Sequence, residues 1–127
     1  MNRQKSPVFL ISLLCFFCLL PAVAWADKAG TSIEAPASVA KGAEITILVN
    51  ITHSAHSFVH HVVWLRIMAN DKEVFRWDYS ATNRPEAANF TKEVRLTIRE
   101  NTEIKAEASC NMHGSKGPAV VVVAVKD

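Results

Sequence analysis

The sequence lacks what several large function classes require. It has 127 residues, about one domain of chain. That excludes a multidomain enzyme and a two-lobed nucleotide-binding fold. There is no basic excess beyond the N-terminal segment. All 12 acidic residues follow residue 26, as do 12 of the 14 Lys and Arg, so the charges of the remainder cancel. Such a surface cannot neutralise a run of phosphates, and no nucleic-acid partner is expected. After residue 26 no stretch is long and apolar enough to span a bilayer. No convincing helical period, internal repeat or low-complexity tract is present. Cysteine is scarce. Three occur in all, and Cys15 and Cys18 precede residue 26.

Residues 1–26 have the form of a secretory signal. Arg3 and Lys5 supply the positive start, and residues 8–20 are apolar apart from Ser12. Pro21 breaks the run, and Ala24-Trp25-Ala26 is a small-x-small cleavage pattern. The expected mature domain is residues 27–127, starting at Asp27, with no membrane attachment after cleavage. A bacterial periplasmic or secreted location follows.

Cleavage leaves one cysteine, Cys110, and so no internal disulfide. An odd cysteine in an oxidising compartment needs a reason: an intermolecular bridge, a buried thiol or a metal thiolate. The histidines point to the third. His53, His56, His60 and His61 fall within nine residues, and His113 lies three residues after Cys110. Imidazoles with one thiolate suit iron, copper or zinc and do not suit calcium or magnesium.

The frame is all-β. Residues 44–52 alternate strictly, with Ile45, Ile47, Val49 and Ile51 on one face. Residues 61–67 alternate through Val63 and Leu65, and residues 90–98 through Val94, Leu96 and Ile98. Shorter strands are expected at 32–35, 73–78 and 103–110. Residues 119–125 are nearly continuous valine, as in a strand buried on both sides. Seven short strands with turn signals between them predict an antiparallel β-sandwich. Its loops gather at the two ends, so the histidine cluster and the loop after Cys110 are able to meet. Trp64 and Trp77 are expected in the core, and Arg66, Arg76 and Arg84 in solvent.

Two metals compete on ligand type. A blue-copper site takes two histidines, a cysteine and a weak axial methionine after the second histidine. Here Met112 lies between Cys110 and His113, and none follows. A structural zinc site would use close ligand pairs on both sides, and only one such half is present.

Cys110-Asn111-Met112-His113-Gly114 resembles the C-N-x-H-G signature of the superoxide reductases, the desulfoferrodoxin and neelaredoxin family. Ile33-Glu34-Ala35-Pro36 followed by Lys41-Gly42 resembles that family's first strand and turn. His60-His61-Val62-Val63-Trp64 resembles its histidine-to-tryptophan stretch. The resemblance covers nearly all of residues 27–125. It implies an immunoglobulin-like sandwich with a mononuclear non-haem iron at one exposed end. Four histidines would lie in a plane, a thiolate on the axis, and the sixth position would stay open for superoxide. Carried over, Cys110 is the axial ligand, and His113 and His60 are equatorial. A third histidine belongs six residues before His60, where Ser54 stands; a one-residue insertion would bring His53 into that place. Strand parity turns His60 and His61 to opposite faces, so one ion does not take both. Parity does not choose between them; the resemblance chooses His60.

The family's fourth histidine ends an E-K-H motif, and this chain has Asp27-Lys28-Ala29 there. Three substitutes for it are available: His56, then water, then the freed α-amino group of Asp27. Lys28 is retained, and by resemblance it attracts superoxide and orients a proton-donating water. Backbone N–H groups of residues 111–114 are expected to donate to the sulfur. The implied activity is reduction of superoxide to hydrogen peroxide, with electrons from a donor that the sequence does not identify. Open sandwich edges leave room for a homo-oligomer. Two other functions fit the same residues. One is a copper- or iron-binding electron-transfer or metal-handling module without turnover. The other is an interaction subunit whose site has partly decayed.

Overall fold

A computed structural model describes residues 27–127; the expected signal segment lies outside them. Eight strands form two sheets. The three-stranded sheet has the order β1 (Gly30–Glu34), β3 (Ala43–Thr52), β6 (Phe90–Ile98). The five-stranded sheet has the order β2 (Ser38–Ala40), β8 (Ala119–Lys126), β7 (Thr102–Cys110), β4 (Val62–Ala69), β5 (Lys72–Asp78). This is the expected all-β sandwich, with two changes. β2 is an eighth strand, too short to give a periodic signal. It pairs parallel to β8, so the five-stranded sheet is mixed.

The core forms where the alternating faces meet. On β3, Ile45, Ile47, Val49 and Ile51 are buried, and Glu44, Thr46 and Thr52 point to solvent. Val94 and Ile98 of β6, Leu65 and Ile67 of β4, and Ile104, Ala106 and Ala108 of β7 complete it. Burying each of the Ile, Val and Leu side chains is worth roughly 1.5–3 kcal/mol, which favours the alternating register over any one-residue slip. Asn70 and Asp71 link β4 to β5 with φ of 47° and 62°. They form a two-residue turn in the left-handed region that Asn and Asp tolerate.

Three expectations are corrected by packing. β8 is not buried on both faces: Val123 is fully buried, but Val120 and Val122 are 49% and 59% exposed. Among the described residues no layer covers the outer face of its sheet, so only the inward half of the valine run meets the core. Second, the alternation of β4 changes phase. The pairing with β7 shifts between Val62 and Trp64, a bulge that buries Val62 together with Leu65 and leaves Val63 half-buried. Third, Trp64 is not a core residue. It is half-buried on the outer face, with the guanidinium groups of Arg66 and Arg76 5.2 and 5.7 Å from its ring centre. Arg66 also pairs with Glu107 at 2.8 Å, so it is not simply solvated. Trp77 packs against the core as expected.

Tyr79 gives a stability prediction. Its ring meets Phe90 edge to face, and its hydroxyl is buried without a hydrogen-bond partner. Burial, with a smaller contribution from Glu86, pushes the phenol up to about 12. Tyr79→Phe removes a polar group that has lost water and gained nothing. It should stabilise the domain by about 1 kcal/mol. Thermal unfolding should show this as a midpoint higher by about 4–8 °C.

Candidate metal centre

Three chain segments meet at one end of the sandwich. Residues 53–61 connect β3 to β4, residues 111–118 connect β7 to β8, and residues 27–29 lead into β1. The pairing of Val62 with Cys110 places the end of the histidine loop beside the start of the cysteine turn. That turn is closed on itself. Cys110 N donates to Gly114 O at 3.1 Å, and Gly114 N donates to Cys110 O at 3.2 Å. Gly114 has φ of 79°, a conformation open to glycine at no steric cost. Inside the turn His113 N donates to Cys110 Sγ at 3.1 Å, the N–H···S bond expected there. Such a bond stabilises negative charge on sulfur.

Asn111 fastens the two loops together. Its Oδ1 accepts from His61 N at 2.9 Å, its own N donates to His61 O at 3.1 Å, and its Nδ2 donates to Val59 O at 2.9 Å. Ser57 holds the same loop from within: His60 N donates to Ser57 Oγ at 3.0 Å, and Ser57 N donates to His60 O at 2.8 Å. Neither role is visible in the sequence, although the fixed place of asparagine after the cysteine is a signal for the first. Asn111→Ala should release the histidine loop without removing any candidate ligand. Metal affinity should then fall by roughly 10–100-fold, the usual cost of losing an outer partner, as measured by chelator competition.

His53, His60 and Cys110 come together, each offering a ligand atom within 4.8 Å of the others. Atoms about 2.1 Å from one metal lie roughly 3 Å apart when adjacent and roughly 4.2 Å when opposite. A small inward movement therefore closes this set around a single ion. His113 joins it from the side, its Nδ1 3.2 Å from His60 Nε2, which is the adjacent-ligand spacing. The His60 ring stands nearly perpendicular to both His53 and His113. Burial lowers the His60 pKa from its ordinary value; repulsion from His53 and His113 adds to this, and Asp27 opposes it.

His53 is buried, and its ring nitrogens face two carbonyl oxygens. Nδ1 is 2.7 Å from Ala55 O, and Nε2 is 3.0 Å from Asp27 O. Both carbonyls are acceptors, so each contact is a hydrogen bond only while that ring nitrogen carries the proton. His61 is buried on the other side of the loop with Nδ1 3.0 Å from Ser57 O, apart from the group. His56 is exposed and also lies outside the group. Ser54 is exposed, whereas Ala29 is fully buried. Ala29 N donates to Gly114 O at 3.2 Å, and its carbonyl accepts from Lys116 N at 2.9 Å.

A cleft of about 570 Å³ opens beside His53, lined by Asp27, Lys28, Ser54, Asn89 and Lys116 among others. Lys28 and Lys116 make its lining cationic. Sequence reasoning singled out the first lysine and missed the second, which stands three residues after His113. Asn89 Oδ1 accepts from His53 N at 2.9 Å and fixes the start of the loop.

Comparison with known proteins bears on the family and the fold. The family model described as Desulfoferrodoxin matches residues 24–115. No protein of curated function matches the chain. A neelaredoxin, described as a superoxide reductase, from Ignicoccus hospitalis superimposes with a TM-score of 0.61 at 20% identity; 84% of this chain and 89% of that one are covered. A candidate superoxide reductase from Thermotoga maritima gives 0.62 at 21% identity, over 77% and 86%. A CARDB domain from Pyrococcus furiosus, solved with di-metal ions, gives 0.60 at 13% identity, over 82% and 100%. Identities this low establish a shared fold.

Proposed function

The chain belongs to the desulfoferrodoxin family, and from that premise we propose that it is an exported, periplasmic protein that reduces superoxide to hydrogen peroxide at a mononuclear iron. The observation that carries the proposal is the convergence of His53, His60 and Cys110, with His113 Nδ1 3.2 Å from His60, at an end of the sandwich. On this reading His53, His60, His113 and the Cys110 thiolate would hold the iron.

Superoxide takes up one electron and two protons to become hydrogen peroxide. A ferrous ion held there would supply the electron, and the Cys110 thiolate would favour its loss. The protein's residues do the rest. The imidazoles of His53, His60 and His113 would bring no negative charge that repels an anion. The N–H of His113 tempers the sulfur. Lys28 and Lys116, which line the cleft, would draw the anion towards the end of the sandwich, and on this reading Lys28 orients a proton-donating water. Cys110 is the lone cysteine among the described residues, so no second cysteine-held redox centre is built into them. The electron therefore comes from a separate donor.

The test is stoichiometric. The exported protein should contain iron and show a sulfur-to-ferric band. Given a superoxide pulse in its ferrous form, it should yield one peroxide per superoxide and no dioxygen. Release of dioxygen would make it a dismutase. Copper with an intense blue band would support the module without turnover instead.

A further inference from the structure

We infer that Gly30 and Ser115 are positioning residues for Lys116: together they set where its ammonium stands to meet an anion entering the cleft beside His53. The inference rests on the superoxide-reducing reading above and concerns how that site gathers its anionic substrate.

Lys116 is an exposed residue, yet its course is built. Gly30 is buried and pairs with Thr52, the residue before His53, across β1 and β3. A Cβ on Gly30 would lie 3.0 Å from Lys116 Cδ, 3.1 Å from Thr52 Oγ1 and 3.7 Å from Lys116 Nζ. Carbon atoms settle at about 3.5–4.0 Å from each other. The lysine stem therefore runs through space that any side chain at Gly30 would need. The glycine leaves a groove, and the groove lays the ammonium beside Thr52, on the lining of the cleft. Among the described residues no carboxylate forms an ion pair with Lys116, so its charge is left for an anion. Asp27 is the one acidic residue on that lining, against Lys28 and Lys116.

The backbone beneath the lysine is fixed on both sides. Ser115 Oγ donates to Glu107 Oε2 at 3.0 Å and accepts from Gly117 N at 2.8 Å, so one hydroxyl folds the chain around Lys116. Glu107 is itself held, with Oε1 2.8 Å from Arg66 Nη2 and its side chain 16% exposed. Lys116 N donates to Ala29 O at 2.9 Å, which joins this turn to the segment that carries Gly30. A lysine is a point charge on a flexible four-carbon stem. Fixing where the stem begins and giving it a groove restricts where that charge stands. Superoxide is a small anion, and the field that gathers it depends on the placing of the nearest charges.

The experiment compares Lys116→Ala, Gly30→Ala and Ser115→Ala, singly and with each of the last two added to the first, in the exported iron-loaded protein. Three quantities are measured: the rate constant with pulsed superoxide at low and high salt, the affinity of the ferric form for azide, and iron affinity by chelator competition. At low salt Lys116→Ala should slow the reaction about five- to tenfold, and Gly30→Ala and Ser115→Ala about two- to fivefold. Azide affinity should fall in the same order, and the differences should shrink as salt is raised. Iron affinity and the ferric band should not move. Added to Lys116→Ala, the other two changes should cost nothing more, because they act through the lysine. Lys41→Gln, the same loss of charge at the far end of β3, should have little effect. Unchanged rates in both Gly30→Ala and Ser115→Ala would overturn the inference, as would full losses that persist without Lys116 or a fall in iron affinity. An unchanged rate in Lys116→Ala, or an equal loss in Lys41→Gln, would overturn it too, with the iron site left standing. If the natural protein takes up no iron with a sulfur-to-ferric band, the reading beneath the inference fails and takes it along.

Discussion

Cys110→Ser should abolish the sulfur-to-ferric band and lower superoxide reduction by more than about 100-fold while the sandwich stays folded. The loss has a simple cause. A metal deprotonates a thiol outright, whereas a serine hydroxyl stays protonated at neutral pH. The substituted residue would offer neither the charge nor the polarizability that pushes electron density towards the metal. The fold should survive because little depends on the sulfur sterically. Cys110 is buried at the end of β7 and held by its own backbone, through the paired bonds with Gly114 and the pairing with Val62. Serine fills nearly the same volume, and its Oγ can still accept from His113 N, which lies 3.1 Å from the sulfur in the native protein. Far-ultraviolet circular dichroism should be unchanged and the thermal midpoint shifted by only a few degrees, since surface and near-isosteric changes of this kind cost roughly 1 kcal/mol or less. Retention of the band in the serine variant would show that the thiolate is not a ligand. Loss of the folded signal would show that the cysteine has a structural role the geometry does not indicate.

The parts of this protein that were legible in the sequence are those governed by short-range pattern. The period-two faces of β3 and β6 are set by strand geometry alone, and their bounds match the alternation to within a residue. Cys110 and His113 share one tight turn, and spacing is enough to place them near each other. What was illegible depended on distant partners. Whether Val120 and Val122 are covered is decided not by the valines but by what packs on the outer face of their sheet, and no described residue does. The phase change in β4 comes from fitting Val62 opposite Cys110, residues 48 positions apart. Lys116 reaches the cleft because its turn is bonded to Ala29, far away in sequence. The placing of Asp27 beside His53 and of His56 in solvent has the same origin. Loop length alone left both within reach of the group, and the anchoring of Ala29 separates them.

The two adjacent histidines should respond to alanine in opposite ways. His60→Ala should weaken iron binding by more than about 100-fold, because it removes a ligand, and even an outer partner is worth 10–100-fold. It should leave stability almost unchanged in the metal-free protein. His60 is only half-buried, its ring nitrogen faces another imidazole, and its backbone bonds to Ser57 do not need the side chain. His61→Ala should do the reverse. Its ring is 4% exposed, and its Nδ1 lies 3.0 Å from Ser57 O. Truncation leaves a small cavity and a carbonyl without its partner, at a cost of roughly 1–3 kcal/mol. Metal affinity should change much less than in the His60 variant, because Asn111 would still bind the His61 backbone at both its N–H and its carbonyl. Denaturant unfolding without metal and chelator competition with it separate the two effects. A large loss of affinity on His61→Ala with little on His60→Ala would mean that the loop turns the other imidazole to the metal. The ligand set would then have to be rebuilt around His61, on the face of the loop where Ser57 and Asn111 now hold it.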